Sequence, residues 1–468
     1  MPSRRPAPAE PAQARTFLFL ALFLAALWFA GGASRPDVPG QVVTRIAAWS
    51  IAILAVVFLP RPDWRSVRAP AVLLAAAAGL VALQLVPLPP SMWQALPGRE
   101  VFAAGDALIG AGSPWRPLSM SPGWTRNALG SLIVPAVALW LMAGLGRGKD
   151  LALMRLLLVL VVGGCLIALL QFAGRPVDHP MLNDIAGHVS GNFANRNHLA
   201  LFAAIGCVLG PVWASRETVF GGWAVLVGAA LVTLFVLVIL ATGSRGGIVL
   251  GALGVGAGLA LAWAPLRQRM RALPRRVSLG AGLAIAGGFV AALVASVLSG
   301  RAAGIERAIE LSAQDDARVR VLPAVLEALA RYFPVGSGFG TFDPVFRISE
   351  GDDLLDRTYY NQAHNDLLQV GLDGGIAGLV LLGAALAWWA ARSWRAARGG
   401  SLSARAGAAI LLLIVVGSAL DYPARTPMIM AVAMIAAAWL ARVNGPSARP
   451  AGANPNDGVG LPSRVPRI

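Results

Sequence analysis

Three short polar clusters in this 468-residue chain each abut a long apolar run, and they hold the residue types best suited to chemistry. The first is Gly191-Asn192-Phe193-Ala194-Asn195-Arg196-Asn197-His198, with three amides, a guanidinium and an imidazole in close succession. One asparagine suffices to cap a helix. That density favours a polar ligand over capping and interfacial anchoring alone. The second is Thr242-Gly243-Ser244-Arg245-Gly246-Gly247, a very tight turn between two apolar runs. It brings Arg245 to the head of a helix, where backbone N–H groups also point outward, and an arginine beside such groups suits phosphate. The competing reading is an interfacial arginine whose stem lies along apolar surface. The third is Tyr359-Tyr360-Asn361-Gln362-Ala363-His364-Asn365-Asp366-Leu367-Leu368-Gln369, which runs into another apolar stretch. Asn365, Gln369 and Asp373 are spaced four apart and so stack as one polar stripe on a helix. Such groups at membrane depth must face the protein interior or water, and they suggest function. His364 stands where that helix begins; a lone histidine is more often structural. Among these neighbours it suits base work near neutrality, because imidazole titrates there without perturbation. Two weaker signals follow. Gly336-Ser337-Gly338-Phe339-Gly340-Thr341-Phe342 lacks the lysine and strand–helix context of a nucleotide loop and reads as a tight turn. Asp421-Tyr422-Pro423-Ala424-Arg425 reads as a structural ion pair between the last two apolar runs.

The elements that position these clusters are apolar helices. Residues of the hydrophobic class make up 57% of the chain and charged residues 13%, with a mean hydropathy of +0.66. Soluble globular domains carry roughly 25% charged residues, so this chain has too little polar surface to cover itself in water. Apolar runs of about 20 residues, long enough to cross the hydrocarbon core, recur from end to end. The fold expected is all-α and polytopic, with about 12 transmembrane helices. The spans fall near 16–33, 43–60, 70–88, 129–146, 151–173, 198–215, 221–242, 246–264, 278–299, 366–391, 406–420 and 426–441. The first run, after Arg4, Arg5 and Arg15, reads as a retained anchor, because Trp28-Phe29-Ala30-Gly31-Gly32 is a poor cleavage site. Cys165 and Cys207 each lie inside an apolar run, which excludes a disulfide framework and gives no metal-ligand spacing. No repeat of fixed period is visible.

The net charge of +16 is distributed as a membrane protein records its orientation, with no basic stripe interleaved with aromatics as nucleic acid requires. The N-terminus, Arg61/Arg65/Arg68, Arg147/Lys149, Arg216, Arg267 to Arg276, Arg392 to Arg405 and the C-terminal tail form one alternating set of basic segments. By the positive-inside rule that set, with both termini, is cytoplasmic. The opposite face then holds 89–128, 174–197, the turn at Thr242–Arg245 and the long loop 300–365. Within that loop, Arg318 to Phe333 has the period of an amphipathic surface helix, interrupted early by Pro323 and stopped at Pro334. The Pro-, Gly- and Asn-rich tail over 443–468 reads as disordered.

In this order, the clusters resemble the O-antigen ligase and polymerase family of bacterial envelope glycosyltransferases. The matching pieces are Gly-Asn-Phe-x-Asn-Arg-Asn at 191–197, Thr-Gly-Ser-Arg-Gly-Gly at 242–247 and Arg318 at the start of the loop helix. They continue with Pro-Val-Gly-Ser-Gly-Phe-Gly-Thr-Phe at 334–342 and Ala-His-Asn-Asp-Leu-Leu-Gln at 363–369. The resemblance covers roughly 185–440, a ligase-like membrane domain; residues 1–180 match only in having repeated spans. It implies transfer of a glycan from an undecaprenyl-diphosphate carrier to an acceptor hydroxyl at the periplasmic face of the bacterial inner membrane. It also implies no nucleotide sugar, no metal and no cofactor. On the family pattern His364 is the general base or orients the acceptor hydroxyl. Arg245, Arg196 and Arg318 hold the diphosphate and stabilise the charge on it as it leaves. Asn192, Asn195, Asn197, Ser244, Asn365, Asp366 and Gln369 contact sugar or phosphate oxygens. Asp373 departs from the pattern, where glutamate is more usual, and neither His198 nor Tyr360 takes a role from it. The acceptor can be lipid A–core (ligase), another repeat unit (polymerase) or a protein, and the ligase type is the leading expectation. A transporter of a lipid-linked substrate would instead place polar residues near mid-membrane in two inverted halves.

Overall fold

A computed structural model describes residues 10–175, 177, 179–183, 187–274, 276, 280, 287, 317–354 and 360–443. Among the described residues ten helices are long and apolar enough to cross a membrane, from Glu10–Ala30 to Leu402–Leu420. The shorter apolar helix Pro427–Ala441 follows them. Each coincides with one of the expected spans. The remaining span, 278–299, falls almost wholly outside the described residues, as do 300–316, Tyr359 and the tail from 444. The chain is therefore an all-α polytopic membrane protein. Among the described residues its strand content is one antiparallel pair, Pro87–Leu88 with Arg116–Pro117.

One hydrophobic core runs through the helices, from Leu20 and Phe23 near the start to Trp439 near the end. Its axis is Arg196–Arg216, almost every residue of which is buried. The helix Arg245–Arg271 lies closest to it, and the reason is legible in the sequence. Gly247, Gly251, Gly254 and Gly258 recur at helical spacing. A methyl at Gly254 would stand 2.5 Å from Ala204 O, and one at Gly258 2.4 Å from Cys207 O. Small residues bring membrane helices close where lipid supplies no hydrophobic driving force between them.

The two ends of the bundle differ in chemistry. At one end arginines close the connections between helices. Arg155 grips the buried Glu217 through Nε and Nη2, at 2.8 and 2.9 Å, Arg216 donates to Ser403 Oγ at 2.9 Å and Arg269 donates to Ala214 O at 2.9 Å. At the other end stand the heads of three helices, Arg196–Arg216, Arg245–Arg271 and Asp366–Gly399.

The helix Asp366–Gly399 is broken at Gly375, whose φ of 56° lies in the left-handed region. The glycine segment 334–342 fills the break. Ser337 N donates to Leu372 O at 2.9 Å, Gly338 N to Asp373 O at 2.9 Å, and Ile376 N to Pro334 O at 2.9 Å. That segment is thus a clasp on the broken helix and more than the tight turn expected. Gln84 joins it from another span, accepting from Phe339 N at 2.8 Å and donating to Asp373 O at 2.9 Å. Arg99, fully buried, donates to Pro97 O, Leu118 O and Gly336 O at 2.6, 2.7 and 3.1 Å. Burial pushes its pKa down to about 10, which still leaves it charged at neutrality.

The loop helix spans Ala317–Tyr332 and continues through Pro323. A proline inside a helix removes one backbone bond and costs about 3 kcal/mol or more. Val321, Val325, Ala328 and Tyr332 are buried against Phe342, Phe346 and Leu372 in a small second core. At roughly 1.5–3 kcal/mol for each large side chain, that burial outweighs the proline. The expected interruption is therefore absent.

Candidate functional site

Each of the three helix heads is capped by a site residue. Asn195 Oδ1 accepts from Asn197 N at 2.9 Å, and Ser244 Oγ accepts from Gly247 N at 2.8 Å. Asn365 Oδ1 accepts from Leu367 N at 3.0 Å and Leu368 N at 3.1 Å. Arg196 and Arg245 are the first residues of their helices and both are exposed. The capping reading of the asparagines is correct, and it does not exhaust them.

Asp421 draws the clusters together. It is buried, with 4% of its side chain exposed, at the end of Leu402–Leu420. Its Oδ2 accepts from Asn195 Nδ2 at 3.0 Å and from Asn197 Nδ2 at 2.5 Å. Its Oδ1 lies 3.1 Å from His364 Nδ1. Asn197 Oδ1 in turn accepts from Ser244 Oγ at 2.6 Å, which ties in the second cluster. A methyl at Gly243 would stand 3.8 Å from Arg196 Nη1, so the Arg196 guanidinium overhangs the turn that carries Arg245. The first, second and third clusters therefore meet at one end of the bundle.

An ionised carboxylate only accepts, so a neutral His364 facing Asp421 carries its proton on Nδ1 and offers a lone pair at Nε2. Tyr422 stands edge-on between two imidazoles, with ring centroids 4.9 Å from His364 and 5.2 Å from His198. Tyr360 closes the other side of His364 at 6.5 Å. The His364 side chain is 25% exposed, open enough to meet a substrate. Its backbone has φ of 51°, the only non-glycine residue in the left-handed region among those described. Strain of that kind persists only where the surroundings impose it. Beyond the head groups, burial and then the Arg196 charge push the His188 pKa down, so the field of Arg196 reaches the preceding loop.

Several expected substrate contacts have partners inside the protein instead. Asn192 is fully buried and donates to Trp28 O at 2.9 Å. Gln369, also fully buried, accepts from Ala363 N at 3.0 Å and donates to Gln362 Oε1 at 2.6 Å. Asp366 is buried and accepts from Arg425 Nε at 2.9 Å, Ser418 Oγ at 3.0 Å and Ala424 N at 3.2 Å. Gln369 and Asp366 are thus engaged within the protein, while the buried Asn192 keeps its Oδ1 without a hydrogen-bond partner among the described residues. Arg318 belongs to the loop helix Ala317–Tyr332. The ion pair expected within 421–425 is also corrected: Arg425 turns to Asp366 and Asp373, the latter at 3.6 Å, rather than to Asp421. No local spacing rule could have matched Asp421 to His364, 57 residues away.

Fold and site together define a polytopic helical membrane protein with a histidine–carboxylate pair, two exposed arginines and three helix heads at one end. Residues 229–383, about a third of the chain, match the family model for O-antigen ligase. That stretch is thus similar to O-antigen ligase, and the match supports glycan transfer in envelope glycan biosynthesis. The matched stretch contains Ser244, Arg245 and His364, while Arg196 and Asp421 lie on either side of it. No curated protein is similar enough to the chain to add to that match.

Proposed function

We propose that this protein transfers a glycan from an undecaprenyl-diphosphate carrier to an acceptor hydroxyl at the periplasmic face of the inner membrane. The observation that carries the reading is the hydrogen bond between His364 and buried Asp421, in a cluster flanked by Arg196 and Arg245. His364 Nε2 takes the proton from the acceptor hydroxyl as its oxygen attacks the anomeric carbon. The bond from that carbon to the diphosphate breaks, and the leaving diphosphate keeps the electron pair. Asp421 holds the imidazole in the tautomer with Nδ1–H and stabilises the imidazolium once formed. Charge on the departing diphosphate is met by Arg196, Arg245 and Arg318 and by the N–H-rich helix heads. Asn195, Asn197, Ser244 and Asn365 line the site, while Asn192, Asp366 and Gln369 hold its walls.

The orientation follows the arginine-closed connections, which the positive-inside rule makes cytoplasmic together with both termini. The acceptor is lipid A–core in the ligase-type reading, and the same residues would serve a glycan or protein acceptor. Transport of a lipid-linked substrate is the contrasting reading. A site at one end of the helices, rather than midway along them, weighs against it.

The test is complementation of a strain deleted for the gene with wild type, His364→Ala, Arg245→Ala and Arg196→Ala, at matched membrane levels. All three variants are expected to lose polymer attachment or length while lipid-linked precursor accumulates on the periplasmic side. The accumulated species separates ligase from polymerase. If all three restore surface polysaccharide like wild type, those residues are structural and transport is the better reading.

A further inference from the structure

We propose that Asp366 and Arg425 are positioning residues that hold the His364–Asp421 pair in register, an assignment that rests on His364 acting as the base. His364 and Asp366 flank Asn365 at the head of one helix, and Asp421 and Arg425 lie on the connection between the last two spans. Two side-chain rungs join these segments: His364 to Asp421 at 3.1 Å and Asp366 to Arg425 at 2.9 Å. Between the rungs Asp366 N donates to Asp421 O at 3.3 Å. The second oxygen of Asp366 accepts from Ser418 Oγ and Ala424 N, so the carboxylate is gripped from the helix before the connection and from the connection itself.

Arg425 extends the brace further into the bundle. Its Nη2 lies 3.6 Å from the fully buried Asp373, the second residue before the break at Gly375. Asp373 also accepts from Gly340 N at 3.2 Å. The guanidinium thus spans two buried carboxylates about two helical turns apart and links the dyad to the glycine clasp. A planar fork is suited to two such partners at once, where an ammonium is not.

His364 needs this support. It lies outside the helix in a strained backbone conformation, and its ring is contacted edge-on by Tyr422 and Tyr360. Its aim depends on Asp421, and Asp421 sits on the connection that the second rung fixes. Asp366→Asn keeps the volume but removes the charge opposite Arg425 and leaves one acceptor oxygen for three donors. Arg425→Lys keeps the charge but loses the fork. Either change lets the two segments slip, and misplacement by about 1 Å is enough to slow a reaction about 100-fold.

The experiment uses the full-length protein in lipid nanodiscs. Undecaprenyl-diphosphate-linked glycan and acceptor are supplied as a lipid extract of cells lacking the protein, and release of undecaprenyl diphosphate is followed over a range of donor. Asp366→Asn and Arg425→Lys are each expected to lower kcat about 10- to 100-fold, with KM for the donor within about twofold of wild type. A residue serving folding alone would reduce the amount of protein and leave kcat per folded molecule unchanged. Wild-type kcat in both variants overturns the proposal, and so does a raised KM at unchanged kcat, which would make these residues substrate contacts. His364→Ala, run beside them, separates the two claims. If it turns over like wild type, the base reading falls and the brace with it; if it is inactive while both brace variants keep wild-type kcat, only the brace falls. Should Asp366→Asn fail to accumulate, Arg425→Lys carries the test by the same kcat criterion.

Discussion

At the scale of single residues, the site depends on how many donors one carboxylate serves. Asp421 accepts from two amides and faces one imidazole nitrogen. Asp421→Asn keeps the shape but replaces one acceptor oxygen with an NH₂ group, so a donor meets a donor at one of these contacts. If the NH₂ faces His364, Nδ1 must accept and the proton moves to Nε2, where it blocks base work. The expected result is a fall in kcat of about 100-fold or more, read as initial rate on purified protein. Leaving a buried amide unsatisfied also costs about 1–3 kcal/mol of stability, read as a lower melting temperature. The polar types at 195, 197, 244 and 364 were legible in the sequence, because such residues beside hydrocarbon have few reasons to be there. Their common partner was not. Asp421 comes from a distant connection, and its nearest basic neighbour in sequence, Arg425, is engaged elsewhere.

At the scale of elements, ends and breaks matter more than spans. The spans were legible because twenty apolar residues have one stable answer in a bilayer, a helix with its backbone bonds satisfied internally. The break at Gly375 was not, since Asp373-Gly374-Gly375 also reads as close helix packing. Only the clasp 334–342 explains it. A methyl at Gly375 would stand 2.1 Å from Pro334 O, and one at Gly336 (φ 88°) would stand 2.7 Å from Asp373 O and Gly375 N. Gly375→Ala and Gly336→Ala therefore combine backbone strain with overpacking. Each is expected to destabilise the protein by about 2–5 kcal/mol, measured by thermal unfolding of the purified protein. Gly383→Ala, on the same helix with open space around it, is the control and is expected to be neutral or slightly stabilising.

At the scale of the whole molecule, the helices outside the matched stretch are part of the site's support. Trp28 O accepts from Asn192, Ala194 N donates to Gly32 O at 3.1 Å, and Met428 N donates to Gly31 O at 3.1 Å. The first span therefore steadies both the first polar cluster and the last helix. Nothing in the sequence of residues 1–180 pointed to this, because its means are backbone carbonyls and a pair of glycines. The consequence is a protein whose polar end is tied to its first span and whose opposite end is closed by arginines. The measurement that tests the central claim most directly is formation of the glycosidic product in proteoliposomes holding purified protein, lipid-linked donor and acceptor, followed by mass spectrometry. Wild type is expected to join glycan to acceptor and release undecaprenyl diphosphate, and His364→Ala to do so about 10²- to 10⁴-fold more slowly. Product formation by His364→Ala at the wild-type rate, or wild type moving the donor intact across the bilayer without joining it to anything, would contradict the account.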